Sequence, residues 1–260
     1  MFDTSLTIVV ASCDKYSDLW MPFSTLFRKY WPDCPYEIVL VTESPAQSNP
    51  DHVFHRTVPC GIGTGWGDRL SQSLEQVQTP YVLLLCDDYF LCDNVNTTVI
   101  NDFVKLAQKH NAGNLRLLEN PTFTNVFSEA EQLGEYKKMT AYCVSTQAGI
   151  WDTRFLQNLA KGYASIWQFE RNGSFAAERL TQPFIGTRAY YFPFEDVVHK
   201  GQWERHGIRL CQRNHIDLSH SKRATLSDWD YALEHFKGFI LNLNPTLVVK
   251  IQNLLKLGKQ

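Results

Sequence analysis

Tyr81-Val-Leu-Leu-Leu-Cys-Asp-Asp-Tyr-Phe90 sets an unbroken apolar run, Tyr81 to Cys86, directly against two carboxylates, Asp87 and Asp88. A continuous run of that kind predicts a strand covered on both faces, as in a parallel sheet. Open sheets of this type bind ligands in the crevice beyond the carboxyl ends of their strands. Adjacent carboxylates at that edge repel each other unless something positive lies between them, and a divalent cation is one answer. The other is a polar strand end in which Asp87 or Asp88 caps the next helix.

Upstream, Leu6–Ala11 is a second apolar strand, followed by the polar turn Ser12-Cys-Asp-Lys-Tyr16. Asp14 there reads either as a ligand-facing acid or as a helix N-cap. A helical stripe with Leu19, Phe23, Leu26 and Phe27 follows, interrupted by Pro22. Glu37–Thr42 is the next strand, with Glu43 at its carboxyl end, so the chain opens βαβ with parallel strands. A short strand is expected around Val53-Phe54. Gly61-Ile-Gly-Thr-Gly-Trp-Gly67 matches neither a P-loop nor a dinucleotide fingerprint. Its glycines could bring backbone amides close to a phosphate or ribose, or simply form a flexible turn. A helix over 66–77 then carries Trp66, Leu70, Leu74 and Val77 on one side. Arg69 on its first turn is an anion partner or an ion-paired surface group.

Beyond the central strand, the spacing predicts a helix over 95–108, a short strand at Leu115–Leu118 and a loop or flap over 121–138. Strand character resumes at Tyr142–Ser145 and leads to Gln147-Ala-Gly-Ile-Trp151. Asp152 or Thr153 caps a helix that Gly162 ends. Ile166-Trp-Gln-Phe-Glu170-Arg171 sets an acid among large aromatics. Glu170 is therefore either a water-shielded general base or the partner of Arg171 or Arg179. His199, in Val197-Val-His-Lys-Gly-Gln-Trp203, is a structural histidine or a metal ligand. Ser227-Asp-Trp-Asp230 is a capping-box pattern, and an amphipathic helix follows Pro245. That helix packs back on the domain or rests on a membrane surface.

A chain of 260 residues accommodates one large domain with a C-terminal extension, here 1–225 and 226–260. A formal charge of -2 gives no electrostatic reason to expect nucleic acid as a partner. Seven cysteines without a C-x-x-C pair argue for reduced thiols and a cytoplasmic location, not a disulfide framework. No apolar run approaches the ~20 residues of a spanning helix, and the N-terminus has no basic flank of a signal peptide.

Taken in order, these pieces resemble GT-A-fold, nucleotide-sugar-dependent glycosyltransferases, in particular family-two-like bacterial enzymes of surface polysaccharide synthesis. The similarity spans roughly 5–205. It lies in the turn Ser12–Tyr16, the acid Glu43, the glycine/tryptophan turn with Arg69, the strand ending in Asp87-Asp88, and the segments 147–151, 167–170 and 197–203. Such enzymes carry Asp-x-Asp where this chain has Cys86-Asp87-Asp88-Tyr89, which leaves open which acid takes a metal. The resemblance implies an α/β fold, a GT-A-like, Rossmann-related and mostly parallel central sheet flanked by helices, with C-terminal helices. It implies a nucleoside diphosphate sugar held by Ser12, Asp14, Tyr16, Glu43, Gly65, Trp66, Arg69 and Asp87. Mn²⁺ or Mg²⁺ would sit on Asp87, Asp88 and His199, with Asp88 and Glu170 catalytic. A glycan or glycolipid acceptor would lie on Trp151 and Trp167. The location would be cytoplasmic, with contact at the inner membrane face an alternative. Two rivals are a sugar-nucleotide nucleotidyltransferase, against which the missing glycine- and lysine-rich triphosphate loop counts, and a non-catalytic carbohydrate-binding protein.

Overall fold

A computed structural model describes residues 2–46, 49, 52–119, 125–128, 133–136, 138 and 143–227. The terminal capping box and amphipathic helix, most of the expected flap, and Tyr142 lie outside the described residues.

The chain opens with β1 (Leu6–Ala11), a 3-10 helix (Asp14–Leu19), α1 (Trp20–Tyr30) and β2 (Glu37–Thr42). Pro22 is the third residue of α1, so its missing N–H falls where a helix has no internal partner and the helix is not broken. β3 is Arg56–Pro59, a few residues beyond the expected Val53-Phe54, whose side chains are instead buried in the core. Next come α2 (Trp66–Leu74), β4 (Tyr81–Cys86), β5 (Tyr89–Leu91) and α3 (Thr97–Lys109). Asn96 caps α3 by accepting from the backbone N–H of Thr98 at 3.0 Å. The rest comprises β6 (Asn114–Glu119), β7 (Asn125–Ser128), β8 (Leu133–Glu135), β9 (Gly149–Asp152), α4 (Thr153–Ala160) and α5 (Ile166–Ala177). β10 (Phe184–Thr187), β11 (Phe194–Asp196), β12 (Val198–His199), β13 (Gln202–Trp203) and α6 (Arg205–Arg213) complete it.

One nine-stranded sheet, ordered β3-β2-β1-β4-β9-β6-β10-β8-β7, runs through the molecule. β3, β2, β1 and β4 are mutually parallel, as are β6 and β10. β9 runs against both of its neighbours, and β8 against both of its own. The sheet is thus mostly parallel, with helices on both faces. That is the α/β, GT-A-like architecture the resemblance implied.

Alternation along the central strands explains their unbroken hydrophobicity. Leu6, Ile8 and Val10 of β1, with Leu83 and Leu85 of β4, enter a core shared with α1 and α3. Val9 and Ala11, with Val82 and Leu84, enter a second core beneath α2, α4 and α5. Neither face meets water, so neither can carry the polar residues of a half-exposed strand.

Strand order reverses between β1 and β4: β2 and β3 lie to one side of β1, β4 to the other. This switch point is where an open sheet leaves a crevice at its carboxyl edge. β9 enlarges it. Because β9 is reversed, the residues leading into it, 145–147, arrive at the same edge as those leaving β4. The expected strand at Tyr142–Ser145 is not formed over its described part. The strand begins at Gly149, and the residues before it turn through the cleft.

Candidate active site

Above the ends of β1 and β4 lies a cleft of about 630 Å³. β1 supplies its floor with Ser12 and Cys13, β4 with Cys86, Asp87 and Asp88, and β11 with Asp196. Tyr16 of the 3-10 helix and Trp66 and Arg69 of α2 form one side. Ser145, Thr146 and Gln147 lead into another formed by α5, where Trp167 and Glu170 project. His199 and Lys200 close the edge above β12.

The acid pair is anchored unequally. Ala11 and Cys86 are register partners, so the residues that follow them face each other across two strands. Ser12 Oγ donates to Asp87 Oδ2 and accepts from Trp20 Nε1 at 2.8 Å. Asp87 is buried and Asp88 half-buried, and both line the cleft. Asp88 caps no helix here: the chain continues straight into β5, and α3 has its own cap at Asn96.

Burial pushes the Asp87 carboxyl up, against the hydrogen bond from Ser12 and the positive charge of Arg223. Asp88 is pushed up by burial and then by the neighbouring Asp87 charge. Asp196 is pushed the same way, by partial desolvation and then by Asp88, although the residue is exposed at the cleft rim. The two adjacent carboxyls, Asp87 and Asp88, thus resist ionisation together.

This donor set fits a divalent cation, whose charge would favour the ionised forms. Asp87 and Asp88 are the residues that would hold it. The three-ligand set with His199 is not formed: no three His, Cys, Asp or Glu side chains among the described residues are placed to enclose a metal. An ion here would draw its remaining ligands from phosphate oxygens and water, as Mg²⁺ commonly does.

Other expected residues fall differently. Asp14 and Glu43 bind each other's backbone across the ends of β1 and β2. Asp14 Oδ1 accepts from the N–H groups of Glu43 at 3.2 Å and Ser44 at 3.1 Å, and Glu43 Oε2 accepts from Asp14 N–H at 3.2 Å. These bonds hold the Asp14 carboxyl below its usual range, led by Ser44. Asp14 therefore ties two strand ends together instead of capping a helix, and neither acid lines the cleft. Arg69 does line it, while pairing with Glu43 at 3.2 Å and donating to the Thr64 carbonyl at 2.6 Å.

Gly65 and Gly67 serve packing. A Cβ on Gly67 would lie 2.0 Å from the Ala160 carbonyl oxygen, and one on Gly65 would lie 3.2 Å from the Ala164 backbone. Their missing side chains let α2 approach the end of α4, so Gly65 is not a ligand-facing glycine.

Trp151 is the plainest correction. It is 0% exposed, within the second core, and packs against Phe155, Phe169 and Phe184. The period-2 geometry of β9 turns it away from the cleft, so it cannot meet an acceptor. Trp167, at 61% exposed, stands on the cleft wall. Glu170, one turn further along α5, accepts on Oε1 from Thr146 N–H at 2.7 Å, Thr146 Oγ1 at 2.8 Å and Ser145 Oγ at 3.3 Å. Its carboxylate thus fastens the loop before β9 to α5, and its expected shielding by Phe169 is not realised because that ring lies in the core.

Asp196 escaped the sequence reading. The available signal was the acid pair Glu195-Asp196 ending the aromatic run Tyr190–Phe194, a weaker echo of Asp87-Asp88. Antiparallel pairing of β11 with β5 sets Asp196 opposite Tyr89, next to Asp88.

Fold and cleft together define a GT-A-like α/β protein with an acidic cleft at its switch point. No family model matches the chain. It is 32% identical over 81 residues to mouse "Beta-1,4 N-acetylgalactosaminyltransferase 2", a match spanning 31% of this chain and 16% of that protein. It is also similar to the crystal structure of S. aureus TarS 1-349, with a TM-score of 0.48 and 13% identity, covering 73% of this chain and 60% of that one. The same TarS fragment in complex with UDP gives a TM-score of 0.47, with 72% and 59% covered. This chain thus spans less than two thirds of each. The resemblance to glycosyltransferases read from the sequence stands. No helix among the described residues is long and apolar enough to cross a membrane.

Proposed function

We propose that this protein is a glycosyltransferase, moving a sugar from a nucleoside diphosphate sugar to a hydroxyl of a glycan or glycolipid acceptor. The observation that carries this reading is the convergence of Asp87, Asp88 and Asp196 at the switch point, in a cleft with aromatic and basic walls. The partial identity to a mouse enzyme named as an N-acetylgalactosaminyltransferase supports it. Surface polysaccharide or lipopolysaccharide synthesis is the role we favour, carried out in the cytoplasm or at the inner membrane face.

In this reading the nucleotide lies across the ends of β1 and β2, beside Ser12 and Tyr16, with Arg69 on the cleft wall and Asp87 and Asp88 beneath the diphosphate. Mn²⁺ or Mg²⁺ on that pair would offset the charge developing on the departing diphosphate. In an inverting transfer, the bond from the anomeric carbon to the diphosphate oxygen breaks, and its electron pair leaves with the diphosphate. The acceptor oxygen bonds to the anomeric carbon and gives its proton to a carboxylate. We assign that base to Asp196. Asp196 is open to the cleft, where an acceptor hydroxyl can reach it, whereas one oxygen of Glu170 already accepts three bonds. Glu170 then positions the acceptor wall, and Trp167 offers a flat apolar face to a sugar ring.

Calorimetry with UDP-, GDP- and dTDP-sugars, with and without Mn²⁺, tests this. Binding of a diphosphate sugar that strengthens with metal is expected. Preference for a nucleoside triphosphate with a sugar phosphate would point to a nucleotidyltransferase. Binding of neither would leave a carbohydrate-binding or scaffold role.

A further inference from the structure

Arg223 lies 205 positions from Asp18, yet the two form a fork: Nε donates to Oδ2 and Nη2 to Oδ1, each at 2.8 Å. The same guanidinium donates to the Lys15 carbonyl at 3.1 Å and, from Nη1, to the Gly201 carbonyl at 3.3 Å. Its carbon sits 4.1 Å from the centroid of the Tyr16 ring. Lys15, Tyr16 and Asp18 belong to the 3-10 helix on one side of the cleft. Gly201 belongs to the tight turn between β12 and β13 on another, where Lys200 and Gly201 both adopt positive φ, +51° and +81°. One side chain therefore joins two walls that the sheet does not connect.

The flanking residues hold Arg223 in place. Ser221 Oγ donates to Asp18 Oδ2 at 2.6 Å and accepts from Trp203 Nε1 at 2.9 Å. The Trp203 N–H donates to Ala224 O at 2.8 Å, and the Leu226 N–H to Trp203 O at 2.9 Å. The segment 221–226 is thereby sewn to β13.

We infer that Arg223 is a positioning residue of the donor site, fixing the Tyr16 ring and the 199–201 turn against each other across the cleft mouth. The geometry favours this over a general structural pair. A fork to Asp18 alone would need neither the ring contact nor the bond to Gly201. A planar, bidentate, stacked guanidinium is also a geometry that lysine cannot reproduce. Arg223 adds positive charge near the acids and lowers both Asp87 and Asp88. The inference rests on the donor-site reading above, for the ligand it positions, but the bracing itself does not.

The experiment has two arms on the full chain. In the first, hydrogen–deuterium exchange compares wild type with Arg223→Ala and Arg223→Lys, without ligand. Faster exchange confined to 14–19 and 198–203, with β1 and β4 unchanged and Arg223→Lys intermediate at best, is expected. Unchanged exchange in both segments, or faster exchange spread over the sheet, overturns the brace whatever the protein binds. In the second arm, a double-mutant cycle of Arg223→Ala and Tyr16→Ala is read as Kd for the nucleotide sugar that wild type binds. Each single change should weaken binding on the order of tenfold, and the second should add little to the first. Full additivity overturns the positioning role. Failure of wild type to bind any nucleotide sugar overturns the donor-site assignment, both here and in the proposed function, while the exchange arm still decides the brace.

Discussion

Ser12 Oγ, at the end of β1, donates a hydrogen bond to the buried Asp87 carboxylate at the end of β4, and in turn accepts from Trp20 Nε1. One hydroxyl thus satisfies an indole N–H and orients an acid that would otherwise be desolvated alone. Ser12→Ala leaves both groups without it. A loss of ~1–3 kcal/mol in unfolding free energy is expected by denaturant titration. Because that bond lowers the Asp87 pKa, metal-dependent donor binding should weaken as well. Unchanged stability and affinity would remove Ser12 from the site.

Asp87 and Asp88 both sit above the ordinary carboxyl value in the folded protein. Between about 4 and about 8 the folded state therefore holds more protons than the unfolded chain. From these groups alone, stability is highest below about 4 and is lost as pH rises towards 8. Thermal melts without metal should show Tm falling over that range. Mn²⁺ should flatten the dependence and release protons, measurable by calorimetry in buffers of different ionisation enthalpy. A flat Tm with no proton release would refute a shared acidic metal site.

Asp88→Asn removes a charge that its surroundings oppose. A gain of ~1–2 kcal/mol in metal-free stability at pH 8 is expected, together with loss of metal-dependent donor binding. An Asp88→Asn variant that turns over normally would exclude this acid from the chemistry.

Asp196→Asn should lower kcat by about 10²–10⁴-fold while leaving donor Kd near wild type. Glu170→Gln keeps an oxygen able to accept from Thr146 and should lose less. The reverse ranking would return the base to Glu170.

The two tryptophans separate packing from binding. Trp151→Ala should cost ~3–5 kcal/mol of stability by opening the second core. Trp167→Ala should leave Tm almost unchanged and raise the acceptor KM. An unaltered KM would deny Trp167 its place against the acceptor.

What could be read from the sequence follows from which signals are local. β1, β2 and β4 announce themselves because burial on both faces forces continuous apolar runs, and their ends put Ser12, Asp87 and Asp88 at one edge. The helices over 97–109 and 153–160 were legible through period and caps. The reversed strand β9 was not, since four residues carry no period, and its orientation depends on pairing with β4 and β6. That is why Trp151, read as facing a ligand, lies in the core. The glycines of 61–67 mark a real constraint, but only the approach of Ala160 and Ala164 shows that Gly65 and Gly67 meet a neighbouring helix end and not a phosphate. Asp196 showed only as the acid pair closing an aromatic run, and Arg223 meets the 3-10 helix and the turn at 200–201 through contacts that no local pattern encodes.

The stitch made by residues 221–226 also bears on how the chain folds. Every strand of the nine-stranded sheet precedes Arg223 in the chain, so the pairings of the sheet need no residue beyond position 187. The fork of Arg223 with Asp18 joins groups 205 positions apart, a contact that forms late and slowly because of the loop it must close. A chain cut off before that arginine keeps every strand of the sheet but lacks the bonds that tie the 3-10 helix to the turn at 200–201.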